Sequence, residues 1–177
     1  MRIDLNFPMQ KLSLEDISIR TELRPGDIGY IIYLHGKLYS HEYNYGISFE
    51  TYVATGLNEF YQEYTQGKGT LWIAEHQDRI IGCLVLVHRK NKAAQLRFFL
   101  IEPLYRSIGL GNRLIDPYMD FLKQKGYTHS YLWTTNEQHM AANLYKKKGF
   151  GLSEEKPSTT FGKPVVEQRY DWKAEND

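Results

Sequence analysis

Residues 105–114 read YRSIGLGNRL, an arginine and two glycines set in front of an apolar pattern of helical spacing and directly after an apolar, strand-like run. Glycine at a helix entrance lets the main chain take positive φ and approach a ligand closely. Unpaired N–H groups then point outward at the positive end of the helix dipole, which makes a site for a phosphate or pyrophosphate. Arg106 adds a charge-assisted donor. Three readings compete. A dinucleotide fingerprint would need a third glycine and a place at the chain's first strand–helix turn, and this segment has neither. A Walker loop needs GxxxxGK followed by Ser or Thr, which the chain lacks. The third reading is a glycine-rich turn without a ligand. Elsewhere, Cys83 is the only cysteine, so no internal disulfide forms, and its place inside IIGCLVLV reads as a small buried hydrophobe. His35, His41 and Glu42 do not have metal-ligand spacing.

The elements that must position this loop follow from periodicity. SIRTEL (18–23) alternates as a strand, and RPGD (24–27) supplies turn residues with Asp27 as N-cap. Ile28, Ile31, Ile32 and His35 recur at helical spacing; Gly36 interrupts them, and LYSHEYNYG follows as an aromatic loop or broken helix. A second helix starts at Ser48, with Phe49, Tyr52, Val53, Leu57, Phe60 and Tyr64 on one stripe. TLWIAEH (70–76), IIGCLVLVH (80–88) and AAQLRFFLI (93–101) read as three neighbouring antiparallel strands, the first two joined by a tight hairpin. Leu110, Leu114, Ile115, Tyr118, Phe121 and Leu122 form a helical stripe that ends at Lys125 and Gly126. Pro117 removes a hydrogen bond inside that helix and predicts a kink near 113–117. SYLWTT (130–135) is a strand, TNEQHMAANLYKKKGF a short helix, EKPSTTFGKP (155–164) a loop, VVEQRYDW (165–172) a last strand, and KAEND a tail that frays. The order is strand, two helices, three strands, helix, strand, helix, two strands. It is α+β with a mixed sheet, because the crossover through 109–126 makes its two strands parallel.

A chain of 177 residues fits one domain, 1–177, and shows no repeat or linker. With 22 basic against 21 acidic side chains it has no electrostatic footprint for nucleic acid. No run approaches the roughly 20 apolar residues of a membrane span. The opening MRIDLNFPMQKLSLED lacks the apolar core of a signal peptide, so a soluble, cytoplasmic protein without membrane partners is expected.

Residues 106–111, Arg-Ser-Ile-Gly-Leu-Gly, match the Q/R-x-x-G-x-G/A signature, LRFFLIEPLYRSIGLGNRLI pairs a strand with a proline-bearing link and a helix start, and ANLYKKKGF places a tyrosine four residues before Gly-Phe. In these respects, over residues 18–172, the chain resembles the GNAT superfamily of N-acetyltransferases. HGKLYSHEYNY and SFETYVA further resemble the acetyltransferase half of bacterial winged-helix/GNAT fusions, although nothing like the winged helix is read here. The resemblance implies a mixed, mostly antiparallel sheet of about six or seven strands flanked by about four helices. It also implies acetyl-coenzyme A (acetyl-CoA) as co-substrate, without a metal, in a cleft where FFLI (98–101) and SYLWTT splay apart. The diphosphate would sit on the amides of Arg106, Ser107, Ile108, Gly109, Leu110, Gly111 and Asn112, and the pantetheine arm would pair with backbone near Leu100 and Ile101. A bulge in that strand would offer an N–H to the thioester carbonyl.

An amine would attack directly, with Tyr145 as general acid toward the departing thiolate; its alternative is plain packing. Relatives often carry asparagine where Gln138 stands, and Asn136 substitutes for it or that contact is absent. For the base, Glu75 comes first, then Glu102 and Glu42, each also readable as a surface carboxylate. Of the 14 tyrosines, Tyr30, Tyr33, Tyr39, Tyr43, Tyr45, Tyr52, Tyr61 and Tyr64 fall in the two-helix segment. They suit an acceptor wall, helix-on-sheet packing or a homodimer face equally. The resemblance thus implies an N-acetyltransferase acting on a small-molecule or protein amine, with a non-catalytic acetyl-CoA sensor as the contrasting class.

Overall fold

Strands buried on both faces divide their side chains between two cores. In this computed structural model, which describes residues 12–64 and 70–174, β2 (Leu71–His76) and β3 (Arg79–Arg89) do so. Trp72, Ala74, Leu84 and Leu86 join one core, while Leu71, Ile73, Cys83, Val85 and Val87 join the other. The first core is closed by α3 (Leu110–Gln124) and α4 (His139–Lys147), through Leu114, Tyr118, Leu122 and Ala142. The second is closed by α1 (Asp27–Tyr43) and α2 (Ile47–Glu63), through Ile31, Leu34, Phe49, Val53 and Leu57. With β1 (Ser18–Arg20), β4 (Ala93–Ile101), β5 (His129–Thr135), β6 (Gly151–Ser158) and β7 (Val165–Lys173), the sheet has seven strands in the order β1-β2-β3-β4-β5-β7-β6. Only β4 and β5 run parallel, as the crossover through α3 requires. This is the mixed, mostly antiparallel sheet with helices on both faces that the sequence predicts.

Three local expectations change. Helix α1 does not break at Gly36 but runs to Tyr43 and closes on Asn44 in the left-handed region (φ 56°). A Cβ at Gly36 would meet the Glu50 side chain of α2. Gly26, not Asp27, caps α1. Asp27 is instead buried, receiving two 2.8 Å hydrogen bonds from Arg20 and one of 2.6 Å from the Arg24 N–H. Residues 155–158, read as loop, belong to edge strand β6, which is exposed along nearly its whole length and so carries no apolar alternation. Helix α3 includes Pro117 and runs to Gln124. The opening residues 1–11 and the end of the tail, 175–177, lie outside the described residues.

Candidate active site

The cleft begins where two parallel strands part. β4 and β5 are paired only at residues 93–95 and 129–131. Beyond Gln95, β4 stays with β3 and β5 stays with β7, which leaves the facing edge of β4 without a strand partner. The expected bulge lies in that stretch: Cys83 pairs with Leu100 and Val85 with Arg97, so β4 carries one extra residue. Phe98 takes φ 52°, a conformation rare for a bulky side chain and characteristic of strained functional segments. The Cys83 thiol donates to the Phe98 carbonyl at 3.1 Å, which ties the bulge to the core. Burial pushes that thiol up to about 12, so it stays protonated and is no nucleophile.

At the end of β4, a 3-10 turn (Pro103–Tyr105) leads into the loop that the motif singled out. The N–H groups of residues 107 to 112 find no acceptor among the described residues; the first amides with one on either side are Arg106, to Pro103, and Arg113, to Gly109. The two glycines do different work. Gly109, at φ 98°, turns the chain into α3. Gly111 admits α4, since a Cβ there would stand 3.1 Å from Leu144 Cδ2. Ser107, also at positive φ (62°), and exposed Asn112 complete the loop, while the Leu110 side chain is core. The Arg106 side chain does not join the amides: it donates to the Ile101 carbonyl at 2.9 Å and, through two bonds of 2.8 Å, to Glu42 of α1. It fixes the loop to the strand end and to α1. Leu100 and Ile101 flank the loop on β4, with the Ile101 carbonyl already engaged.

Tyr145 on α4 lines the cleft together with His35, Tyr39, Phe98, Thr134 and Gln138. Its hydroxyl has no partner among the described residues, and its ring packs on Phe99, Phe150 and Tyr170. Burial, with the Tyr43 hydroxyl as a lesser cause, holds the phenol above its ordinary value, so it keeps its proton. His35 is fully enclosed. Its Nδ1 lies 2.8 Å from the Ile31 carbonyl, which can only accept, so the proton sits on Nδ1. Nε2 then carries a lone pair with no partner among the described residues. Burial lowers the imidazole to about 4. The Thr134 hydroxyl is buried and likewise unpartnered. Tyr39 donates to Gln138 at 3.4 Å and Tyr45 meets Thr135 at 2.7 Å, so two of the clustered tyrosines brace the wall.

The carboxylates considered for proton removal lie elsewhere. Glu75 is held by Arg20 at 2.9 Å and by Arg24 at 3.8 Å, beside strand β1, and does not line the cleft. Glu102 pairs with Arg79 at 2.7 Å, and Glu42 is taken by Arg106. The Asn136 side chain accepts from the Val166 N–H at 3.1 Å and so extends the β5–β7 pairing, whereas Gln138 lines the cleft. Sequence reasoning missed His35, which periodicity marks only as part of a helical stripe, and Thr134, which reads as an ordinary strand residue.

Free amides at a helix N-terminus, two splayed strands and a buried tyrosine thus meet in one cleft. The model of the Acetyltransferase (GNAT) family matches residues 36–150, and the chain belongs to that family. It is 28% identical over 99 residues to "Probable N-acetyltransferase 14" of Xenopus tropicalis, covering 55% of this chain and 48% of that protein. The chain thus spans about half the length of this curated relative. An acetyltransferase of the GNAT family from Staphylococcus aureus Mu50 superposes with a TM-score of 0.69 at 19% identity, over 89% of this chain and 98% of that one. A Bacillus anthracis protein described as a "putative streptothricin acetyltransferase", solved with acetyl coenzyme A, is 25% identical with a TM-score of 0.52, over 59% and 62% of the two chains. Membership implies acetyl transfer from acetyl-CoA. The donor set here fits that molecule, since unpaired amides at the positive end of a helix suit a diphosphate. No helix among the described residues is long and apolar enough to cross a membrane.

Proposed function

We propose that the chain is an N-acetyltransferase that moves an acetyl group from acetyl-CoA to a primary amine, borne by a small molecule or a protein, by direct attack. The observation that carries this reading is the cleft itself: a protonated, partnerless tyrosine hydroxyl and an imidazole nitrogen with a free lone pair line one cavity. Acetyl-CoA supplies an activated thioester carbonyl. The amides of residues 107–112 hold its diphosphate, and the open edge of β4 at Leu100 and Ile101 faces its arm. His35 Nε2 takes the proton that the amine nitrogen sheds as the N–C bond forms. The C–S bond breaks, and the Tyr145 hydroxyl gives its proton to the sulfur. Burial fixes the starting forms, a protonated phenol and a neutral imidazole at pH 7, and at the same time makes the phenol a weaker acid and the imidazole a weaker base.

Acetyl-CoA binding by calorimetry and coenzyme A release with a panel of primary amines test this. We expect binding, release that depends on the amine, and an affinity at least tenfold weaker in Gly111→Asp, whose carboxylate would crowd Leu144 and oppose the diphosphate. Tight binding with no release above background across the panel would make the protein a sensor, and undiminished affinity in Gly111→Asp would remove the loop from the site.

A further inference from the structure

One largely enclosed charge near this machinery has no hydrogen bond among the described residues. Arg97 stands on β4 just before the bulge with its side chain only 11% exposed. Among the described residues its guanidinium meets a single anion, Glu59, at 3.8 Å, and that carboxylate side chain is 63% exposed. The rings of Phe98 and Tyr52 lie 4.7 and 5.2 Å from it. α2 yields space for it, since a Cβ at Gly56 would fall 2.5 Å from Arg97 Nη2. Aromatic faces offset part of the desolvation of a guanidinium, and a partly enclosed guanidinium gains further from an anion that hydrogen-bonds it.

Its position says what would complete it. Arg97, Tyr52 and Gln95 line both the cleft that holds Tyr145 and a second hollow beside α2, bounded by Ser48, Thr51, Thr55 and Thr160. The hydroxyls of Thr51 and Thr55 donate back into their own helix, and the guanidinium is the charged donor that lines this junction. Four residues along a strand separate it from Ile101 and the diphosphate loop, roughly 13 Å, which puts it on the acceptor's route and not on the carrier's. The planar fork of arginine matches a carboxylate in two parallel hydrogen bonds. No second lysine or arginine lines either hollow, and Glu59 lies close by, so a monoanion suits the site better than a phosphate dianion.

We propose that Arg97 binds a carboxylate of the acceptor, which makes the substrate an amine that carries its own carboxylate: an amino acid or a compound built on one. This rests on the transferase reading above. The test uses amine pairs that differ only in that group: glycine with methylamine, leucine with isopentylamine, lysine with cadaverine, phenylalanine with phenethylamine. Binding to the coenzyme A-loaded protein is measured by calorimetry, and turnover by thiol release, for the wild type, Arg97→Gln and Arg97→Lys. At least one pair should show tenfold or greater preference for the carboxylate member in the wild type, lost in Arg97→Gln and partly kept in Arg97→Lys. Equal binding within every pair, no binding by any member, or a preference that survives in folded Arg97→Gln overturns the proposal. A carboxylate preference in binding without thiol release would instead overturn the transferase reading and leave the subsite standing.

Discussion

The two mouths of the cleft are made of different material. Where β4 ends, the wall is main chain: the N–H groups of residues 107–112, with Gly109 and Gly111 as the positions where a side chain would interfere. On the α1–α2 side it is side chain: His35 from α1, Tyr52 from α2, Arg97 from β4 and Thr134 from β5. Backbone donors at a helix start need little from the sequence beyond glycine, and they suit a carrier that many proteins share. Side chains converging from four elements can be exchanged one at a time without disturbing the sheet, and they suit the partner that differs between proteins. In the proposed reading the chemistry falls between them, on Tyr145 and His35.

The largest effect that would sharpen this division is expected from Tyr145→Phe. Because the hydroxyl has no partner among the described residues, its removal leaves the packing on Phe99 and Phe150 intact. Loss of a proton donor at the sulfur should lower kcat by about 10²- to 10³-fold with acetyl-CoA affinity unchanged, measured by thiol release and calorimetry. An unchanged kcat would reduce Tyr145 to a packing residue. A weakened affinity would move it to the carrier's side and blur the boundary.

His35→Phe keeps a ring against Tyr39 and Phe98 and removes the lone pair. A fall in kcat on the order of 10²-fold is expected, smaller if water reaches the amine. The same residue leaves a mark on stability. Above pH 6.5 the imidazole is neutral whether the chain is folded or unfolded. Between about 6.5 and about 4 the unfolded chain takes up a proton that the buried ring refuses, so stability falls with pH across that window. The full loss is about 3 kcal/mol. Denaturant titrations at pH 7 and pH 4.5 should show a smaller acid loss in His35→Phe than in the wild type, and equal losses would mean that the ring is not enclosed as described.

What could be read ahead of the structure follows the same division. The loop at 106–111 is a local pattern, and the central strands are continuous apolar runs, so both are visible in the letters. The place of Gly36 inside α1 was not, because the Glu50 side chain that it faces belongs to another helix. The reach of strand β6 to Ser158 was not, because an edge strand exposed on both faces carries no alternation. The free lone pair of His35 depends on a hydrogen bond to Ile31, and the enclosure of Arg97 on Gly56 and Tyr52 some forty residues away. Periodicity reports which face a residue occupies; it does not report whether its polar atoms end up satisfied.

The smallest expected effect tests the clearest misplacement. WIAE ends a strand in the sheet, and from that alone Glu75 looks able to reach the cleft; but β1 pairs alongside, Ser18 opposite Glu75, and brings Arg20 with it. Arg20 in turn grips Asp27 at the start of α1, so Glu75 helps to dock that helix on the sheet edge. Glu75→Gln still offers Arg20 an amide oxygen but no charge. With the pair only partly exposed, the cost should be about 1–2 kcal/mol, a drop in Tm of a few degrees, with kcat within twofold of the wild type. A tenfold loss of kcat at an unchanged Tm would return Glu75 to the chemistry and take from His35 its claim on the proton, since one cleft needs only one such acceptor.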